Sequence, residues 1–274
     1  MKAVGGGARP VVLALTTLMV VSKVAHGAPQ ETTQLGFSPE EAACLRVFDD
    51  ECTWCVALYR EGGDASRGQR TGSGLYCGGA LVGGRVVLTA AMCALKAPSE
   101  AVRARVPASA DPRRDYAVGH TILRHNNATG TYAKDFALMV LTEDVQWDLA
   151  GNNGACLELR KPMGGDCVFI KFTTSEQFVM SPLSVRDGRC RNRRTRGEGV
   201  VACGTAEAGQ CDAAVGAPVL CPITSDDQGG MSLAGVIRKP CSGDSVLISK
   251  VQMHADWFNQ ELQRLGLQPI SYYL

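Results

Sequence analysis

Twelve cysteines in a chain of 274 residues set the first limit on what this protein can fold into. They are Cys44, Cys52, Cys55, Cys77, Cys93, Cys156, Cys167, Cys190, Cys203, Cys211, Cys221 and Cys241. An even set of this size reads as six disulfides if the compartment is oxidising. Residues 1–27 supply that compartment, because they have the form of a secretory signal peptide. Lys2 and Arg9 make the positive end, Val11 to Val21 is apolar apart from two Thr, and Ala25-His26-Gly27 fits small-x-small cleavage. All twelve cysteines lie beyond the cut, and the chain is expected to be secreted and extracellular. The apolar run is too short to cross about 30 Å of hydrocarbon, so no membrane span is expected. Zinc would need paired short Cys spacings with His at matching intervals, which are absent; no metal and no cofactor are expected. Asn127-Ala128-Thr129 is a glycosylation sequon, which places Asn127 on a surface loop.

The rest of the composition favours strands. Glycine is abundant, at 31 residues. Short runs rich in Val, Ile and Leu recur between Gly and Ser clusters: Arg85 to Thr89, Cys167 to Phe172, Gly199 to Cys203, Leu233 to Ile237 and Val246 to Val251. That pattern predicts an all-β barrel or sandwich. Helical periodicity is clear at one place, His254 to Leu265, with Trp257, Leu262 and Leu265 near one face and Gly266 as the stop. Removing the leader takes Lys2, Arg9 and Lys23 from the 28 basic residues and none from the 27 acidic ones, leaving a net charge of −2. Such a balance argues against general nucleic-acid binding.

Three motifs carry more specific information. Tyr76 to Leu95 reads YCGGALVGGRVVLTAAMCAL, Lys134 to Leu138 reads KDFAL, and Cys211 to Cys221 reads CDAAVGAPVLC. In this order and with these flanking cysteines they resemble the chymotrypsin/trypsin-like serine proteases, whose segments read CGGSLI…VLTAAHC, DIAL and CxGDSGGPLxC. The closing segment Leu233 to Ile237, Cys241 and Trp257-Phe258 extends the likeness, which covers roughly residues 44 to 265. The resemblance implies two six-stranded antiparallel β-barrels with a C-terminal α-helix. It implies a peptidase-homology domain over 47–266, an N-terminal extension over 28–46 and a tail over 267–274. It also implies the pairs Cys77–Cys93, Cys167–Cys221, Cys190–Cys203, Cys211–Cys241 and Cys44–Cys156, which leaves Cys52 with Cys55.

The same alignment of motifs implies that the chemistry is missing. Acyl transfer in this family needs a nucleophile, a base, an orienting carboxylate and an oxyanion hole. Met92 stands where the family has its catalytic His and cannot take a proton. Val215 stands where it has the nucleophilic Ser. Asp135 is kept, and its bland reading is a carboxylate that accepts local backbone N–H groups. Ala213 replaces an oxyanion-hole Gly, and Ala214 replaces the Asp that pairs with a freshly cut N-terminus. No good activation sequence occurs; Arg46 to Asp50 is a poor match. Gly209 falls at the pocket floor, and Val246 replaces a pocket-lining Gly. His120, His125 and His254 do not match the lost base and read as solvated or capping residues.

Other features bear on what a non-catalytic member could do. Arg186, Arg189, Arg191, Arg193, Arg194 and Arg196 crowd around Cys190. This cluster reads as a site for polyanions, a microbial surface or an acidic partner, as a loop nicked by a trypsin-like enzyme, or as a plain solvated loop. Cys52-Thr53-Trp54-Cys55 has the redox CxxC form, but it runs straight into a strand pattern, which favours a structural local disulfide over a redox or interchain one. Residues 28–50 hold only Cys44, so the six-Cys clip module of arthropod homologues is absent. The expected function is that of a secreted, inactive serine protease homologue. It would serve as scaffold, adaptor or decoy in an extracellular protease cascade of innate immunity or melanisation, with proteases or their substrates as partners. The alternatives are a polyanion- or microbe-binding recognition protein and, remotely, residual endopeptidase activity.

Overall fold

Alternation along short strands decides what faces inward. In Val102–Arg105, Val102 and Ala104 are buried, while Arg103 and Arg105 face outward into ion pairs with Glu61 and Asp115, both at 2.7 Å. In Phe178–Arg186, Ser181, Leu183 and Val185 are buried between exposed Pro182, Ser184 and Arg186. This period of two suits a sheet with one face on a core. The computed structural model describes residues 52–61, 74–126, 131–147, 154–155, 157–158, 165–173, 177–186, 201–206, 215–222, 231–242, 245–267, 269–270 and 272–273. The side chains at 125–126, 131–135, 158, 201, 239–242 and 272–273 lie outside that description.

Six strands close the first barrel: β1 (Cys55–Arg60), β2 (Gly74–Gly83), β3 (Val86–Ala90), β4 (Val102–Arg105), β5 (Asp115–Asn126) and β6 (Thr131–Leu141). Their order is β1-β2-β3-β6-β5-β4, and β4 returns to β1. A two-residue strand, β7 (Leu157–Glu158), precedes the second barrel. That barrel comprises β8 (Gly165–Phe172), β9 (Phe178–Arg186), β10 (Val201–Ala206), β11 (Pro218–Pro222), β12 (Met231–Ser242) and β13 (Ser245–Lys250). The order β11-β8-β9-β10-β13-β12 closes on itself because β11 also pairs with β12. Closure leaves few strand edges unpaired. The two antiparallel six-stranded barrels expected from the resemblance are thus both present.

The hydrophobic core is shared across the barrels. Leu58, Leu81, Leu88, Tyr116 and Leu138 fill the first barrel, and Leu220, Leu233, Val236, Val251 and Phe258 join the same buried cluster. Phe169, Leu183, Val219, Ile237 and Ile248 fill the second barrel. On the outer face of β1, Tyr59 meets Phe172 edge-on with ring centres 6.3 Å apart, and Phe172 meets Phe178 at 4.7 Å.

Two α-helices occur among the described residues. The first, α1 (Ala91–Lys96), is one that hydrophobic periodicity does not announce, being barely more than a turn long. The second, α2 (Ala255–Arg264), lies where the periodicity puts it. Its buried stripe is Phe258 and Leu262, with Trp257 and Leu265 flanking at partial burial. Gly266 stops it at φ 67°, and Leu267 N–H donates to the Leu262 carbonyl at 2.9 Å while Gly266 N–H donates to Gln263 at 3.0 Å. These two bonds form a Schellman cap, which needs the left-handed conformation glycine adopts freely.

His254 corrects the sequence reading. It is at the N-cap position of α2, but its side chain makes no cap bond and is 2% exposed. Phe136 meets its ring edge-on at 5.1 Å, and Phe258 lies at 6.3 Å. Aromatic rings rather than solvent surround its side chain at that helix terminus. Past Leu267 the chain does not simply trail away. Ile270 is 3% exposed, and β14 (Tyr272–Tyr273) pairs in parallel with β7.

Candidate functional site

Position 92 is set by the end of β3. Ala90 pairs with Phe136 of β6, and the chain turns at once into α1. Ala91 and Cys93 are buried there, while Met92 is partly buried and packs on the first-barrel core. Asp135 directly precedes Phe136, so its backbone lies at the same end of the β3–β6 pair; its side chain is outside the described residues.

Position 215 arrives from the second barrel. Val215 opens the turn ahead of β11 and is 4% exposed. Gly78 of β2 donates its N–H to the Val215 carbonyl at 2.9 Å. Gly216 donates to the Ile237 carbonyl at 2.8 Å, and Ile237 donates back to Ala217 at 3.0 Å. The turn is therefore bonded to both barrels. The Cys93 sulfur lies 3.8 Å from the Val215 carbonyl; already bonded to Cys77, it has no hydrogen to donate, so this is packing.

Gly216 is required for this closeness. Its φ is 78°, and a Cβ there would strike the Gly78 carbonyl oxygen, standing 2.5 Å from Thr89 Oγ1 and 3.1 Å from Cys93 Sγ. Thr89 donates its hydroxyl to that same Gly78 carbonyl at 2.7 Å. The Val215 turn thus meets the first barrel at Gly78, Thr89 and Cys93, the residue after Met92. The Val215 isopropyl group belongs to the buried cluster on which the Met92 thioether packs, and neither exchanges a proton. The fully buried Thr89 and the paired backbone groups satisfy the polar atoms beneath, as burial requires.

Tyr76, just before Cys77, has its hydroxyl buried with no hydrogen-bond partner among the described residues. Burial pushes its pKa up to about 12, with the Arg60 charge pulling partly the other way. Val246 is 1% exposed in the second-barrel core, and its Cγ2 lies 2.7 Å from where a Cβ on Gly204 would stand. Arg186 ends β9 in an exposed position. Gly78 and Thr89 are contributors that the sequence reading passed over, although both lie inside the quoted Tyr76 to Leu95 motif.

The structure contains the disulfides Cys52–Cys55, Cys77–Cys93 and Cys167–Cys221, and Cys203 is also disulfide-bonded. Cys52 and Cys55 are 4% and 1% exposed, at the head of β1. Cys44, Cys156, Cys190 and Cys211 lie outside the described residues, as does the side chain of Cys241. So do Asn127, Arg189, Arg191, Arg193, Arg194, Arg196, Gly209, Ala213 and Ala214. Among the described residues no group of three or more His, Cys, Asp or Glu could hold a metal ion.

A search of curated proteins finds no match. The family model described as Trypsin matches residues 47–258. That span includes both barrels, α1 and the start of α2, and positions 92 and 215 within them. The chain therefore belongs to the trypsin family.

Proposed function

We propose that this protein is a secreted, catalytically inactive member of the trypsin family. It serves as a scaffold, adaptor or decoy that regulates an extracellular protease cascade, in innate immunity or melanisation. What supports the reading is that Met92 and Val215 stand at the motif positions where the family resemblance puts base and nucleophile. Without an imidazole no proton leaves an attacking hydroxyl, and without that hydroxyl no acyl-enzyme forms. Ala213 and Ala214 add the loss of an oxyanion-hole glycine and of the activating carboxylate. A fold that keeps the family's surfaces without its chemistry can dock proteases or their substrates and leave them uncut.

A serine-directed fluorophosphonate probe tests the inactivity directly. The secreted protein is expected to give no label beside fully labelled trypsin; stoichiometric labelling overturns the reading. Restoring Met92→His together with Val215→Ser is expected to leave peptide hydrolysis at background, because positions 213 and 214 remain altered. The regulatory role is tested by affinity isolation from the host's own extracellular fluid, before and after microbial challenge. Proteases or a phenoloxidase are expected to co-purify. Transfer of the protein to microbes or heparin, with no protein partner, refutes the cascade role.

A further inference from the structure

Arg186 closes β9 on its exposed face, and no ion pair holds it among the described residues. It opens the run Arg186 to Arg196, which carries six arginines against Asp187. Glu198 is the one further acidic residue before β10. The docking role proposed above makes no use of this charge.

The strands fix where the charge is delivered. Cys203 of β10 pairs with Arg186, and Gly165 of β8 pairs with Val185. Residues 187–200 therefore leave and re-enter the second barrel at the end where β8 begins. A chain step spans at most about 3.6 Å, so every arginine of the run stays within about 25 Å of Arg186 or Val201, whatever path the chain takes. β11 also runs out at this end, because Leu220 pairs with Val168, and β12 enters there with Met231 opposite Pro222. Arg160 and Lys161 come just before β8, while Asp166, Asp226 and Asp227 fall at the same end. Among the residues named for this end, basic ones outnumber acidic ones eight to five.

The composition of the run selects the ligand. Residues 186–200 contain no aromatic residue and no Leu, Ile or Met. A protein partner is anchored by apolar and aromatic side chains in a desolvated centre, and a nucleic-acid strand by bases stacked on aromatic rings. The run offers neither. It offers guanidinium groups, each able to hold an oxyanion through two parallel N–H bonds. We propose that the β9–β10 connection is a binding site for a sulfated polysaccharide, whose repeated sulfate groups need dense positive charge and no apolar centre. The proposal goes beyond the docking role and shares with it only the extracellular setting.

The probe is a fully sulfated heparin octasaccharide, titrated calorimetrically into the secreted, disulfide-intact protein. Its desulfated, N-acetylated counterpart, polyglutamate and duplex DNA are titrated beside it. Binding of the sulfated octasaccharide is expected to weaken about a hundredfold between 50 and 200 mM salt, as release of counterions from about four neutralised charges implies. The other three are expected to bind about tenfold or more weakly. Combining Arg191→Ser, Arg193→Ser, Arg194→Ser and Arg196→Ser is expected to remove the binding and its salt dependence. Combining Arg60→Ser, Lys96→Ser, Arg113→Ser and Arg264→Ser removes the same charge from exposed positions elsewhere and is expected to keep most of it. No binding of the sulfated probe, equal binding of the desulfated one, or equal losses in the two folded variants overturns the proposal. Polyglutamate bound as tightly would assign the run to an acidic protein instead, and DNA bound as tightly would reduce it to unselective charge; either result also overturns the proposal. Failure here is separable from failure of the docking role: proteases that co-purify with the first variant uphold that role, and fluorophosphonate labelling leaves the glycan site untouched.

Discussion

Replacing Gly216 by Ala isolates the contact that joins the two barrels at the candidate site. Two costs combine there. A φ of 78° is a left-handed conformation that costs an L-residue roughly 1 kcal/mol or more relative to Gly. The added methyl also overlaps the Gly78 carbonyl oxygen and Thr89 Oγ1, which is 2.5 Å away. Neither is the free end of a flexible chain. Gly78 is held by its own N–H bond to Val215 and by the Thr89 hydroxyl, so relief requires moving one barrel against the other. Overpacking of this kind adds about 1–3 kcal/mol. The expected total is about 2–4 kcal/mol.

Gly266→Ala is the matched control. Its φ is 67°, but nothing lies within 4 Å of the new Cβ. It carries the backbone term alone, about 1 kcal/mol. Urea unfolding of the secreted, disulfide-intact proteins, followed by tryptophan fluorescence, measures both. The difference between the variants reads the overlap without the conformational term. Equal losses for the two substitutions would refute the argument that this contact is closely packed. Thr89→Ala in the Gly216→Ala background should restore little, because the Gly78 carbonyl still blocks the methyl.

Tyr76 gives a pH-dependent test. Folding raises its pKa from 10.0 to about 12, so its contribution is fully present below pH 10 and is lost as pH rises toward 12. At pH 11 the wild-type protein should have lost about 1 kcal/mol more than Tyr76→Phe, measured by denaturant unfolding across pH 9 to 11. At neutral pH Tyr76→Phe should be neutral or mildly stabilising, since the buried hydroxyl has no partner among the described residues; a clear loss of stability there would reveal a bond that the structure does not contain. Ending the chain after Leu267 removes buried Ile270 and β14, and should cost about 2 kcal/mol with a lower Tm. An unchanged Tm would mean that the tail contributes nothing to the sheet it pairs with.

Much of this architecture is local enough to be read from the chain. The runs that predict strands fall within β3, β8, β10, β12 and β13, allowing for a residue or two at their ends, because period-two burial is imposed residue by residue. Gly266 marks the helix stop because the cap depends on one backbone conformation. Positions 92 and 215 were located by their flanking cysteines and glycines rather than by any chemistry of Met or Val. Other features gave no such signal. α1 is too short to express a helical period, and His254 looks polar in sequence while its surroundings are aromatic.

The residues themselves determine that these are short strands between turns, that many cysteines staple them, and that two positions of a familiar motif hold apolar side chains. Which strands meet was decided in three dimensions. β11 closes the second barrel on β12, Phe136 reaches His254, the Val215 carbonyl accepts the Gly78 N–H, and a bulge at Arg238 follows the residue that bonds that turn. The physical reason is that burial and hydrogen-bond satisfaction are properties of the contacts a residue ends up making, and here those contacts join segments far apart along the chain.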